Sequence, residues 1–152
     1  MLRIIHIFFA AALAGCSPQL TETRLAPGQD VRVNEALYIV EPTGLYTAFR
    51  ESCQGPGTQY KALGATGAQC RLVPTPDIAA QLIVRYDGAL DIPYYFIERR
   101  TRQSEDGFVI SFDYFATVPQ KNGSEQRVYV RTRRLDRQID EMFRLTGGQP
   151  LE

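Results

Sequence analysis

The chain has 152 residues, with 17 basic and 17 acidic side chains and a formal net charge of zero. That length supports one domain with a modest core, not two. The balanced charge offers no global field to attract nucleic acid or a strongly charged substrate. Taken in chain order, the first segment is Met1-Leu2-Arg3 followed by the apolar run Ile4 to Ala12. A secretory leader needs a positive start, a short apolar helix and small residues at its cut. The run is shorter than the ~20 residues that span a bilayer, so it reads as a cleaved leader rather than a transmembrane helix.

The next four residues, Leu13-Ala14-Gly15-Cys16, place a large apolar residue, two small ones and a cysteine in sequence. This resembles the lipobox of bacterial lipoproteins. The resemblance implies cleavage before Cys16, a diacylglycerol thioether on its sulfur, and fatty acyl chains of the palmitate type. Each buried CH2 would contribute ~0.8 kcal/mol to the anchor. Ser17 in place of Asp implies the inner, periplasmic leaflet of a Gram-negative outer membrane. The implied layout is a signal peptide over 1–15, a lipidated tether over 16–30 and a single domain over 31–152. Lipidation of Cys16 would leave Cys53 and Cys70 as a pair in an oxidising compartment, where a disulfide persists. Such a bridge closes the loop 54–69 and contributes roughly 3 kcal/mol in the chain-entropy model. Gly55, Gly57, Gly64 and Gly67 make that loop a floppy one in need of a staple. A metal or redox use of the two cysteines is the rival, but they lack C-x-x-C spacing and a histidine.

Val31 to Val40 has strand content, strongest over Leu37–Val40, and Pro42 and Gly44 mark a turn. Leu45 to Arg50 fits either a strand or a short helix. Cys70 to Val73 reads as a short strand ended by Pro74 and Pro76. Asp77 caps one helical turn through Ala80, and Gln81–Tyr86 reads as a strand stopped at Asp87-Gly88. Three further strands are expected over Pro93–Arg102, Phe108–Val118 and Glu125–Arg133. A two-residue turn at Asn122-Gly123 would pair Val118 with Arg127 and set the apolar faces against each other. A shift of one residue restores agreement, which predicts a three-residue loop with a bulge and Gly123 left-handed. Leu135, Ile139, Met142 and Phe143 then follow the i, i+4, i+7, i+8 pattern of an amphipathic helix that ends at Gly147-Gly148. The expected fold is α+β: an antiparallel meander of about four or more strands, packed by the C-terminal helix.

No reaction is signalled. The single histidine, His6, lies in the leader, so the mature chain would lack Ser-His-Asp machinery and His-containing zinc sites. Asp87 and Asp91 flank a turn, where Asp is common for local hydrogen bonding. No catalytic residue, metal site or cofactor is assigned. The shifted register places Arg127, Tyr129, Arg131 and Arg133 on one outer face beside Ser111, Asp113, Phe115 and Thr117. Arg with aromatics is favoured at protein interfaces, whereas a solvated face with Arg–Asp cross-strand pairs is the plain alternative. The expectation is a membrane-anchored, non-catalytic accessory protein that contacts an envelope protein complex and not nucleic acid. The alternative is a small-molecule or lipid-binding module between sheet and helix, lined by Tyr94, Tyr95 and Phe96.

Overall fold

A computed structural model describes residues 20–21, 34–129 and 133–151. The elements in chain order are β1 (Leu20–Thr21), β2 (Asn34–Tyr38), α1 (Thr43–Ser52), β3 (Thr58–Leu63), β4 (Gly67–Leu72) and α2 (Pro76–Arg85). They continue with β5 (Tyr94–Ser104), β6 (Gly107–Pro119), β7 (Glu125–Tyr129), α3 (Arg133–Leu145) and β8 (Gln149–Pro150). The architecture is α+β. The strands form one sheet in the order β1-β7-β6-β5-β4-β3, with β2 also on β6 and β8 on β2. From β3 to β7 this is an antiparallel meander, and β1 alone runs parallel to its neighbour.

Strand β6 organises the sheet. One side pairs with β5 from Gly107 to Thr117. The other side is shared: β2 takes Phe108 to Phe112, and β7 takes Phe115 to Pro119. Val118 faces Gln126, the shifted register that agreement of the apolar faces demands. Gly123 supplies the left-handed turn position at φ 81°, and Gln120 bonds across the loop to Ser124.

Period two then assigns each residue of β6 to a face. Ile110, Phe112, Ala116 and Val118 are buried beneath helices. Leu45 and Phe49 of α1, four apart, and Phe143 of α3 pack with Ile110 and Phe112. Leu82 of α2 packs with Ala116 and Val118. Tyr38 is wedged at the end of α3, where its hydroxyl meets Thr146 Oγ1 at 2.6 Å and its ring touches Phe143 edge-on. The helix stops there: Gly147 takes φ 85°, and Gly148 N–H donates to the Phe143 carbonyl at 2.8 Å.

Three local expectations are corrected. Gln81–Tyr86 is the second half of α2 rather than a strand. Its period is helical: Leu82 and Tyr86 both pack on β6, whereas Val84, which a strand would bury beside them, is 82% exposed. Thr75 precedes the helix, Pro76 opens it and Asp77 sits in its first turn. Residues 54–69 are not a floppy loop: most of them form the β3–β4 hairpin, and the Cys53–Cys70 disulfide ties that hairpin to the end of α1. Arg133 lies in α3 rather than at the end of a strand, two residues before the helical stripe that starts at Leu135. The ambiguous stretch Leu45–Arg50 is helical, lying within α1.

Two outcomes follow. Phe143→Ala should cost about 3–5 kcal/mol in urea unfolding, since the ring is wholly buried between α3 and the sheet. Burial raises the hydroxyl pKa of Tyr38, Tyr95 and Tyr114 above 10.0. The folded state therefore keeps protons that the unfolded chain releases. That stability is full below the unfolded value and is lost as pH rises from about 10 through the raised folded values. Tyrosinate absorbance should rise together with unfolding, and Tyr114→Phe should move the transition to higher pH.

Candidate functional site on the uncovered sheet face

The buried partners of all three helices lie on one face of the sheet. The opposite face takes the alternate residues: Phe96, Glu98, Arg100 and Arg102 of β5, across from Phe115, Asp113, Ser111 and Val109 of β6. A cleft of about 560 Å³ opens here, lined among others by Glu35, Glu98, Arg100, Arg102, Ser111 and Asp113.

Glu98 is its fixed point and is only 4% exposed. Arg100 donates from both Nε and Nη2 to Glu98 Oε1, each at 2.6 Å. Gln69 donates to Oε2 at 3.3 Å and Arg127 Nη2 to Oε2 at 3.4 Å. These contacts supply the compensation that a buried carboxylate requires. In return, the hydrogen bond from Arg100 to Glu98 and the carboxylate's charge raise the pKa of the Arg100 guanidinium.

Arg127 reaches Glu98 from β7, with β6 between them. Its guanidinium carbon lies 3.4 Å above the centre of the Phe115 ring, which in turn stacks on Phe96 at 5.2 Å. A cation over an aromatic face is attracted by the ring quadrupole, and Arg127 also shields Phe115, which is 2% exposed. Arg127 Nη1 meets the Tyr129 hydroxyl at 3.4 Å. The Arg127 Nε is buried and finds no hydrogen-bond partner among the described residues. The side chains of Arg100 and Arg102 are 61% and 63% exposed, so their heads stand at the rim of the cleft. Arg102 approaches Glu35 at 3.9 Å.

The expected outer face is thus present in part. Arg127 and Tyr129 lie on the open face, paired across from Thr117 and Phe115. Arg133 has moved to α3, and Arg131 and Cys16 lie outside the described residues. Glu98, Arg100, Arg102 and Gln69 were not singled out in the sequence. The available signal is the alternation Phe96-Glu98-Arg100-Arg102, which places three charged residues on one face of a strand. Tyr94 and Phe96 share the open face, whereas Tyr95 points to the helices and stacks on Tyr114 at 5.6 Å. The space between sheet and α3 is occupied by Tyr38, Phe112 and Phe143. Asp87 forms an ion pair with Lys121 at an exposed turn.

Removing one partner of a buried pair leaves the other charge uncompensated. Glu98→Ala should therefore cost about 3–5 kcal/mol in urea unfolding. Arg100→Ala should cost only about 0–1 kcal/mol, because its head is largely in water. Equal effects from the two variants would show that Glu98 is not the fixed point of the face.

Residues 13–48 match the family described as the proteasomal ATPase OB N-terminal domain. The match begins at Leu13 and runs through the segment that resembles a lipobox. It corrects the lipoprotein resemblance, since this end of the chain is similar to the OB N-terminal domain and not to a lipoprotein. The physical reason is the poverty of the motif: Leu, Ala and Gly are among the commonest residues, so four positions discriminate little. The match covers less than a quarter of the chain, and of the six cleft residues named above it includes Glu35 alone. No curated protein and no solved structure matches the chain. Among the described residues, no helix is long and apolar enough to cross a membrane.

Proposed function

We propose that the protein is a non-catalytic binding module whose uncovered sheet face receives a charged segment of a partner protein. The observation that carries this reading is the placement of the Glu98–Arg100–Arg127 network on the face that the three helices leave open. The cleft combines carboxylates with guanidiniums and is flanked by the Phe96–Phe115 stack. Such a mixture suits a protein surface with both charge signs, where Arg and aromatic groups anchor contacts. Its lining, with Leu63 and Val109 the largest apolar side chains, is a poor match for a lipid or an apolar small molecule. Both oxygens of Glu98 are engaged by donors, which commits the carboxylate to holding the face rather than to moving protons. The buried Cys53–Cys70 bridge supports an oxidising compartment as the place of work.

A photo-crosslinking residue at Ser111, inside the cleft, tests this. It should capture a discrete protein partner in the native cell. Capture should fall about tenfold or more when Arg100 and Arg102 are both changed to Glu, since reversed charge at an interface suppresses the correct partner. The same probe at Val84, exposed on α2, should capture none. Equal capture at the two positions, or none at Ser111, would refute the reading.

A further inference from the structure

The sheet closes two of its edges with short strands of its own. The outer side of β7 is taken by β1, and the outer side of β2 by β8, each two residues long. The edge at β3 is different. It is six residues long, and among the described residues no strand pairs with its outer side. A row of unpaired backbone groups is a template for another strand.

The direction in which each residue's backbone points is fixed by the hairpin. Val73 N–H donates to the Gly57 carbonyl at 2.9 Å, one step beyond the Thr58–Leu72 pair. By alternation, Gln59, Lys61 and Leu63 direct their backbone groups to β4, and Thr58, Tyr60 and Ala62 direct theirs outward. The Thr58 N–H is already used by the Gly55 carbonyl at 3.1 Å, which leaves its carbonyl. Among the described residues, nothing bonds to the outward N–H and carbonyl groups of Tyr60 and Ala62.

This set is self-complementary about Tyr60. We infer that the β3 edge pairs antiparallel with β3 of a second copy of this chain, around a two-fold axis at Tyr60. In that register each Tyr60 exchanges N–H and carbonyl bonds with its copy. Each Ala62 N–H donates to the Thr58 carbonyl opposite. The side chains agree as well. Tyr60 lies on the helix side, half-buried against Phe49 and with Arg50 over its ring, so the two tyrosines meet beside apolar groups. On the open side each Lys61 faces the copy's Gln59, so no like charges stand directly opposite. Lysine is the residue that commonly guards an edge. Here it sits where its own copy tolerates it, with the two Lys61 residues on a diagonal roughly 7–8 Å apart. Both open faces lie on the same side of the joined sheet, because opposed residues in an antiparallel pair share a face.

A contact of this length is at the small, transient end of interfaces, so the full chain is examined by sedimentation from about 10 µM to about 1 mM. A monomer–dimer equilibrium is expected, and with it slower hydrogen exchange at the amides of Tyr60 and Ala62 as concentration rises. The amides of Gln59 and Lys61, bonded to β4, should not change. Gln59→Lys sets like charges opposite at two symmetric positions and should weaken the dimer by roughly tenfold. Gln59→Glu sets opposite charges there and should tighten it by a similar factor. Position 59 is exposed, so neither variant disturbs the core. A monomer throughout that range would overturn the inference. So would a dimer indifferent to both Gln59 variants, or protection at Tyr60 that appears only with a different protein bound.

Discussion

Strand β6 is paired along both its sides for nearly its whole length, and the other elements take their places from it. Its thirteen residues extend over roughly 44 Å. That is long enough to seat two successive partners, β2 and β7, on one side while β5 runs along the other. Its alternation decides which face is apolar. Because Ile110, Phe112, Ala116 and Val118 point one way, all three helices gather there. Because Ser111 and Asp113 point the other way, a polar cleft forms where no described helix packs. A one-residue slip in β6 would exchange the two faces and lose both core and cleft together.

Among the described residues, the open face is held by a strut rather than by a layer. Arg127 of β7 crosses β6 above Phe115 to reach Glu98 of β5. Ion pairs removed from water are costly to assemble and give little net stability against an apolar replacement. What this one supplies is alignment. Glu98 and Arg127 meet only if β5 and β7 hold their registers on β6 at once, so the pair ties together two ladders that share no hydrogen bonds. Arg99 shows the contrasting solution on the helix side. It is 5% exposed, lies 3.9 Å above the Tyr46 ring and donates to Thr101 at 2.6 Å. Adjacent Arg99 and Arg100 thus lie on opposite faces of one strand, the first buried and the second exposed.

Features with a local cause were legible in the sequence. The β6–β7 register follows from apolar alternation and Asn122-Gly123, and α3 follows from Leu135, Ile139, Met142 and Phe143. Features that depend on distant partners were not. Leu82-Ile83-Val84 has strand-like composition, and only packing of Leu82 and Tyr86 on β6 makes its helical period decisive. The glycines between Cys53 and Cys70 suggested looseness, yet β4 is held on its other side by β5, which turns the segment into a hairpin. Glu98 is buried by Gln69 and Arg127, each 29 residues away, and nothing in Ile97-Glu98-Arg99 announces that. At the amino terminus the opposite holds: Leu13-Ala14-Gly15-Cys16 resembles a lipobox, but four positions discriminate little.

The Cys53–Cys70 bridge spans the exposed turn at Gly64, Ala65 and Thr66; the Thr66 carbonyl accepts from Thr101 N–H of β5 at 2.8 Å, whereas Gly64 and Ala65 pair with no described strand. Exposed turns of small residues are where proteases cut first. A single cut there would leave two polypeptides that remain one molecule, joined by the disulfide and by the β3–β4 ladder. The nicked protein, heavier by the one water that hydrolysis adds, would stay a single linked species until reductant was added, and only then would its two pieces separate on a denaturing gel. The bridge therefore converts the most accessible peptide bonds of this region into ones whose loss the fold can survive.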